Sequence, residues 1–192
     1  MMKQLILIFL GLTIYNLTFG QVQNTSYQDP NGEKILQLSI IVPIVKCEAW
    51  KLFSTDSGLV KWIAPVAKIE LETGGSIKTN YDKEKGPDDK SAIRLDIINY
   101  LTDELMTLKV NLNNSFPKEV QQEDKNLQEI IQFIDIGNEQ TKIISSMVGW
   151  GKGEQWDKTY NFFEKGNIWT YEQVLKIFDQ KSKVKSNKHR LR

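Results

Sequence analysis

The chain has 192 residues, 40% of them hydrophobic and 26% charged, with a formal net charge of +1. That balance excludes a disordered chain and fits a globular one. With one cysteine, Cys47, and one histidine, His189, a disulfide framework, a thiolate zinc site and a Ser-His-Asp or Cys-His nucleophile pair in the folded body are excluded as well.

At the N-terminus, Lys3 precedes residues 5–15, LILIFLGLTIY, an uncharged apolar run, and Thr18-Phe19-Gly20 follows. A positive start, an apolar stretch and a small-residue cut site make up a secretory signal peptide. The run has about eleven residues, against the roughly twenty that a membrane-spanning helix needs. The expectation is cleavage after Gly20, a new N-terminus at Gln21, and a secreted or periplasmic protein without stable membrane insertion. No cysteine lies near the cut to carry a lipoprotein anchor.

The elements follow in order. Residues 21–32, QVQNTSYQDPNG, are polar with a turn signal and read as a linker. Residues 34–42, KILQLSIIV, read as a strand ending before Pro43. From 45 to 61 the period changes: Val45, Ala49, Trp50 and Phe53 recur at helical spacing. Cys47 lies in that helix and is expected to be a buried structural thiol. Ser54-Thr55-Asp56 offers an N-cap for a second short helix over 57–62, and Ala64-Pro65 closes the segment.

Strands joined by short turns come next, at residues 66–72, 76–81, 92–100, 105–110, 130–136 and 141–148. Gly74-Gly75 and Gly137-Asn138 are the hairpin signals. Residues 82–90 form a charged loop, and 111–128 a longer polar connection with Phe116-Pro117. Over 154–179, Trp156, Tyr160, Phe163, Asn167, Thr170, Val174 and Ile177 keep a helical stripe. Gly166 interrupts it at about 1 kcal/mol relative to Ala, which marks either a kink or a place where the helix faces a cavity. The last twelve residues, KSKVKSNKHRLR, hold six of the 25 basic residues and no acid; Lys3 accounts for one more, so residues 21–180 carry 18 basic against 24 acidic, a net of −6. The tail is expected to be a disordered, solvated extension, with contact to anionic lipid or nucleic acid as the weaker alternative. The domains predicted are a signal peptide (1–20), a linker (21–32), a folded domain (33–180) and a basic tail (181–192). One helix after a run of hairpin-linked strands gives an α+β fold, with an antiparallel sheet covered on one face by the long helix.

Several of these pieces resemble the START-like (SRPBCC) superfamily, and within it the group named after the activator of Hsp90 ATPase. Trp50-Lys51-Leu52-Phe53-Ser54-Thr55, Gly58-Leu59 and Trp62-Ile63-Ala64-Pro65 resemble its helix pair and proline-bearing turn. Gly74-Gly75 resembles its glycine hairpin, and residues 105–110 with Phe116-Pro117 its next strand and loop. Gly149-Trp150-Gly151, Trp156-Asp157, Tyr160, Phe162-Phe163 and Asn167 resemble the approach to its closing helix. The match covers roughly residues 33–179. The resemblance implies a helix-grip fold, a curved antiparallel sheet wrapped around a long C-terminal helix, with two short helices after the first strand and a cavity between sheet and helix. It implies use of that cavity for lipids or other apolar ligands. The chaperone partner of the group's namesakes is cytosolic and would not be met by an exported protein.

Catalytic candidates are weak. Glu70 and Glu72, Asp88 and Asp89, and Asp157 are carboxylates that solvation or the helix dipole accounts for. Residues 149–153, GWGKG, lack nucleotide-binding spacing and read as a strand-to-helix hinge, with phosphate contact the alternative. The candidate ligand-binding residues are Trp62, Tyr81, Phe116, Trp156, Tyr160, Phe163 and Asn167; no catalytic residue, metal ligand or cofactor is expected. The reading is a domain that binds a small hydrophobic molecule or lipid, with no nucleic acid partner. A cavity-based enzyme of cyclase or hydrolase type is one alternative, and would need a buried carboxylate or tyrosine with a perturbed pKa at the pocket. A protein-interaction module is the other.

Overall fold

Strand β3 (Lys34–Val42) is rich in aliphatic residues, and all of them are buried. In the computed structural model, which describes the backbone of residues 20–190 and side chains as far as 179, β3 pairs on one side with β9 (Gln140–Val148) and on the other with β1 (Gln23–Asn24) and β2 (Tyr27–Gln28). Those two short strands replace the linker expected over 21–32. Each is only two residues long and exposed, so it carries no apolar alternation for a sequence pattern to detect. The predicted signal peptide lies outside the described residues except for Gly20.

The other strands are β4 (Val66–Ile69), β5 (Ser76–Asn80), β6 (Ile93–Leu101), β7 (Leu105–Val110) and β8 (Gln128–Gly137). The order is β1-β3-β9-β8-β7-β6-β5-β4, every pairing is antiparallel, and the sheet is curved and unclosed. β3 leaves one end of the sheet and the chain crosses through helices α1 (Lys46–Ser54) and α2 (Asp56–Leu59) to start β4 at the far edge. Thr55 caps α2 as expected, its hydroxyl accepting from the Gly58 amide at 3.0 Å.

Two hairpins differ in detail from expectation. β4 stops at Ile69, so residues 70–75 make a wider turn than Gly74-Gly75 alone. Gly74 sits at φ +85°, and a Cβ on Gly75 would lie 2.1 Å from the Glu70 carbonyl oxygen. Between β8 and β9 the loop residues Asn138 and Glu139 both have positive φ, at 53° and 55°, the signature of a tight I′ hairpin. The connection before β8 contains a short helix, α3 (Lys118–Glu123), held by buried Val120. A single buried position gives no periodicity to read.

The concave face of the sheet is apolar. Leu36, Leu38, Ile40 and Val42 of β3 meet Ile143 and Met147 of β9, Ile131 and Phe133 of β8, and Met106 and Leu108 of β7. Helix α1 lays Trp50 and Phe53 across this face, the Phe133 ring meeting both edge-on at 5.4 and 5.2 Å. Cys47 departs from expectation: it is exposed. Ala49, Trp50, Leu52 and Phe53 occupy the inward side of α1, and Cys47 falls on the opposite side with Glu48 and Lys51.

The closing helix α4 is Glu154–Arg190. The tail predicted as disordered after residue 180 is helical in its backbone to Arg190, in keeping with a segment free of Gly and Pro. Trp156 and Thr159 are buried near one end of α4, and Tyr171, Val174 and Leu175 farther along. No residue between 160 and 170 is buried. The helix is clamped at two places and bridges a gap between them.

Candidate functional site

That gap is a cavity of about 280 Å³, walled by the concave sheet face on one side and the middle of α4 on the other. Phe53, Leu59, Leu108, Ile131 and Met147 make its inner wall, and all five are apolar. Gly166 lines it too, and a Cβ built on Gly166 meets nothing within 4 Å. The glycine that interrupts the helical stripe therefore marks the cavity and not a kink forced by packing. Three half-exposed aromatics that line the same space mark its open side: Tyr81 (54% exposed), Phe162 (61%) and Trp169 (51%).

Four of the seven candidate residues meet here. Trp62 is buried, its indole nitrogen donating to the Leu52 carbonyl at 2.9 Å, with its ring against Phe53 and Tyr171. Tyr81 stands at the opening, where partial burial raises its phenol above the usual value. Phe163 and Asn167 look in from α4, and the Asn167 amide nitrogen rests 3.1 Å from the Met147 sulfur.

The other three lie elsewhere. Phe116 stacks behind Phe163 with ring centroids 5.3 Å apart and planes 6° from parallel, so it supports the wall without forming it. Trp156 is one of the two clamps: buried, it donates from its indole nitrogen to Glu123 Oε2 at 2.8 Å. Tyr160 packs edge-on against Trp150 and lies under the Lys34 ammonium. Both precede the gap by one or two helical turns, so they share the stripe of Phe163 and Asn167 without reaching the cavity.

Two further residues belong to the site. Glu129 on β8 faces inward with Ile131 and Phe133, and its Oε1 accepts hydrogen bonds from Ser145 Oγ at 2.6 Å and Tyr171 Oη at 3.2 Å. Burial pushes the Glu129 carboxyl above the ordinary carboxylate value, and the two hydroxyl donors oppose that rise only in part. Tyr171 is held well above the ordinary phenol value, by burial first and by the neighbouring Glu129 charge second. The sequence does carry a signal: Glu129, Ile131 and Phe133 alternate on one strand face, which sets a carboxylate in an apolar row. Beginning the strand at Ile130 hid it.

The carboxylates singled out from the sequence are solvent-facing, as expected. Glu70 and Glu72 are exposed, and Asp88 is exposed and paired with Lys78 at 2.6 Å. Asp157 in the first turn of α4 pairs with Lys34 at 2.6 Å. Among the described residues no group of three or more His, Cys, Asp or Glu side chains could hold a metal ion.

No protein-family model matches the chain, and no curated protein matches it in sequence. Solved structures do. A conserved protein of unknown function from Enterococcus faecalis superposes with a TM-score of 0.59 at 10% identity, over 81% of this chain and 77% of that one. A Mesorhizobium loti protein gives 0.56 at 10% identity, over 76% and 97%. The Aha1 dimer from Colwellia psychrerythraea gives 0.52 at 14% identity, over 73% and 95%. At such identities the likeness is one of fold. The chain has the START-like, helix-grip fold found in Aha1.

Proposed function

We propose that the protein is an exported START-like domain that binds a small hydrophobic or amphipathic molecule between its sheet and α4. One observation carries the reading: the closing helix buries side chains at 156 and 159 and again at 171, 174 and 175, and between these two places no residue is buried, over a cavity of about 280 Å³. Natural interiors are filled to near crystal density, so an apolar void of this size, close to the lower limit of small-molecule sites, is a feature to be explained. An apolar occupant explains it. The exposed aromatics at its open side give such a molecule a way in, and the signal sequence over residues 1–20 supports action outside the cytoplasm.

The binding test is thermal. A neutral aryl alcohol such as 4-phenyl-1-butanol should raise the Tm of the purified protein progressively with concentration, as preferential binding to the native state requires. A Tm that stays constant up to the solubility limit with this alcohol and with cationic and anionic probes of the same shape would remove the reading. N-terminal sequencing of protein recovered from an exporting host should begin at Gln21; a sequence starting at Met1 would remove the export component.

The enzyme alternative has an observation of its own, the Glu129–Tyr171 pair at the cavity. A buried carboxyl that burial makes harder to ionise and a phenol on one ligand surface are an acid–base set in type. Glu129→Gln would abolish turnover of any substrate found for it, and unchanged turnover would exclude the pair from chemistry.

A further inference from the structure

We infer that the molecule held in the cavity is an apolar amine, whose ammonium group sits on the free oxygen of Glu129. This rests on the ligand-binding reading above and specifies which ligand that reading calls for.

The charge of the wall discriminates between head groups. Of the residues lining the cavity, Glu129 is the only one with a carboxyl group, and no Lys, Arg or His lines it. The titratable groups that share the space are the phenols of Tyr171 on α4 and of Tyr81, just past the end of β5. A carboxylate, phosphate or sulfate head group would therefore bring its negative charge into a low-dielectric space that holds an acid and no cation. Nothing among the described lining residues would offset it. A cation meets the opposite situation, because buried charges persist only when paired.

The geometry of Glu129 agrees with that sign. Ser145 and Tyr171 both converge on Oε1. Hydroxyls donating to one oxygen hold the carboxylate as an acceptor and fix its plane. Among the described residues no group donates to Oε2, and yet Oε2 is not a buried orphan; Ser76 Oγ alone has that status among them. Oε2 is thus the oxygen with accessible space, and the accessible space beside Glu129 is the cavity.

A second acceptor lies close by. Met147 is the register partner of Glu129 across β8 and β9, and it is also the residue that the Asn167 amide nitrogen contacts. With that nitrogen turned to sulfur, the Asn167 carbonyl oxygen is left for a donor. Two acceptors thus flank one methionine in a wall that is mostly apolar. An ammonium has three N–H donors and no acceptor, and it matches this arrangement. Its apolar remainder would lie along Leu108, Ile131 and Phe53, toward the open side at Trp169.

The test uses three ligands of one shape: 4-phenylbutylamine, 4-phenyl-1-butanol and 4-phenylbutyrate, titrated calorimetrically into the full chain at neutral pH. The inference predicts that the amine binds at least ten-fold tighter than the alcohol, and the alcohol tighter than the carboxylate. In Glu129→Gln the preference of amine over alcohol should collapse to less than about two-fold. Alcohol binding with no preference for the amine, or a preference that survives Glu129→Gln, overturns the amine inference and leaves the ligand-binding reading standing. Absence of binding by all three overturns both. The wild-type ranking alone decides the matter if the variant fails to fold.

Discussion

Glu129 and Cys47 show how little one residue's identity says without its register. A glutamate in a row of isoleucine and phenylalanine lines a cavity, and a cysteine in an amphipathic helix lies outside. Each has a consequence that can be measured. Because burial raises the Glu129 carboxyl, the native state keeps this proton to higher pH than the unfolded chain does. Its contribution to stability is full below the ordinary carboxylate range and is lost as pH rises through the raised value. The stability of Glu129→Gln relative to wild type should therefore increase between about pH 4 and neutrality. Chemical denaturation at a series of pH values checks this, and a difference that is flat or falls contradicts the burial of the charge. Cys47, for its part, should react with one equivalent of a thiol reagent under native conditions, at a rate close to that of the unfolded chain. Protection until unfolding would contradict the placement of α1.

At the scale of elements, long patterns were legible and short ones were not. β3, β7 and the aromatic stretch of α4 each repeat an apolar period several times, and their positions follow from the sequence alone. β1, β2 and α3 are two to six residues long and bury almost nothing of their own; they exist because the sheet edge and Val120's pocket were already there. The glycines at the sheet-to-helix junction are legible as a hinge, but their reason is steric. Gly149 sits at φ +84°, and a Cβ there would lie 2.0 Å from the Asn126 carbonyl oxygen. Gly149→Ala should cost about 1–3 kcal/mol, the range for strain at one backbone position, read as a lower urea midpoint. Gly166→Ala has the opposite sign. Its Cβ enters open space, so the variant should gain about 0.5–1 kcal/mol from helix propensity. A loss at Gly166 would mean that the space is not there.

For the molecule as a whole, the candidate site was half legible. Trp62, Tyr81, Phe163 and Asn167 reach the cavity, whereas Phe116, Trp156 and Tyr160 support or clamp the elements around it. A helical stripe tells which side of α4 faces the sheet. It does not tell where along its length the sheet curves away, because that depends on the register of the sheet strands. Gly166 was the better signal, since a Cβ at that place on the helix would enter open space. The same point supplies the central test. Gly166→Leu puts an isobutyl group into the cavity while keeping helix propensity high. Native mass spectrometry of wild type and Gly166→Leu, both purified from an exporting host and extracted for small molecules, compares occupied and filled cavities directly. The account predicts a small organic adduct on the wild type that is missing from Gly166→Leu. An adduct on both, or on neither, would contradict it.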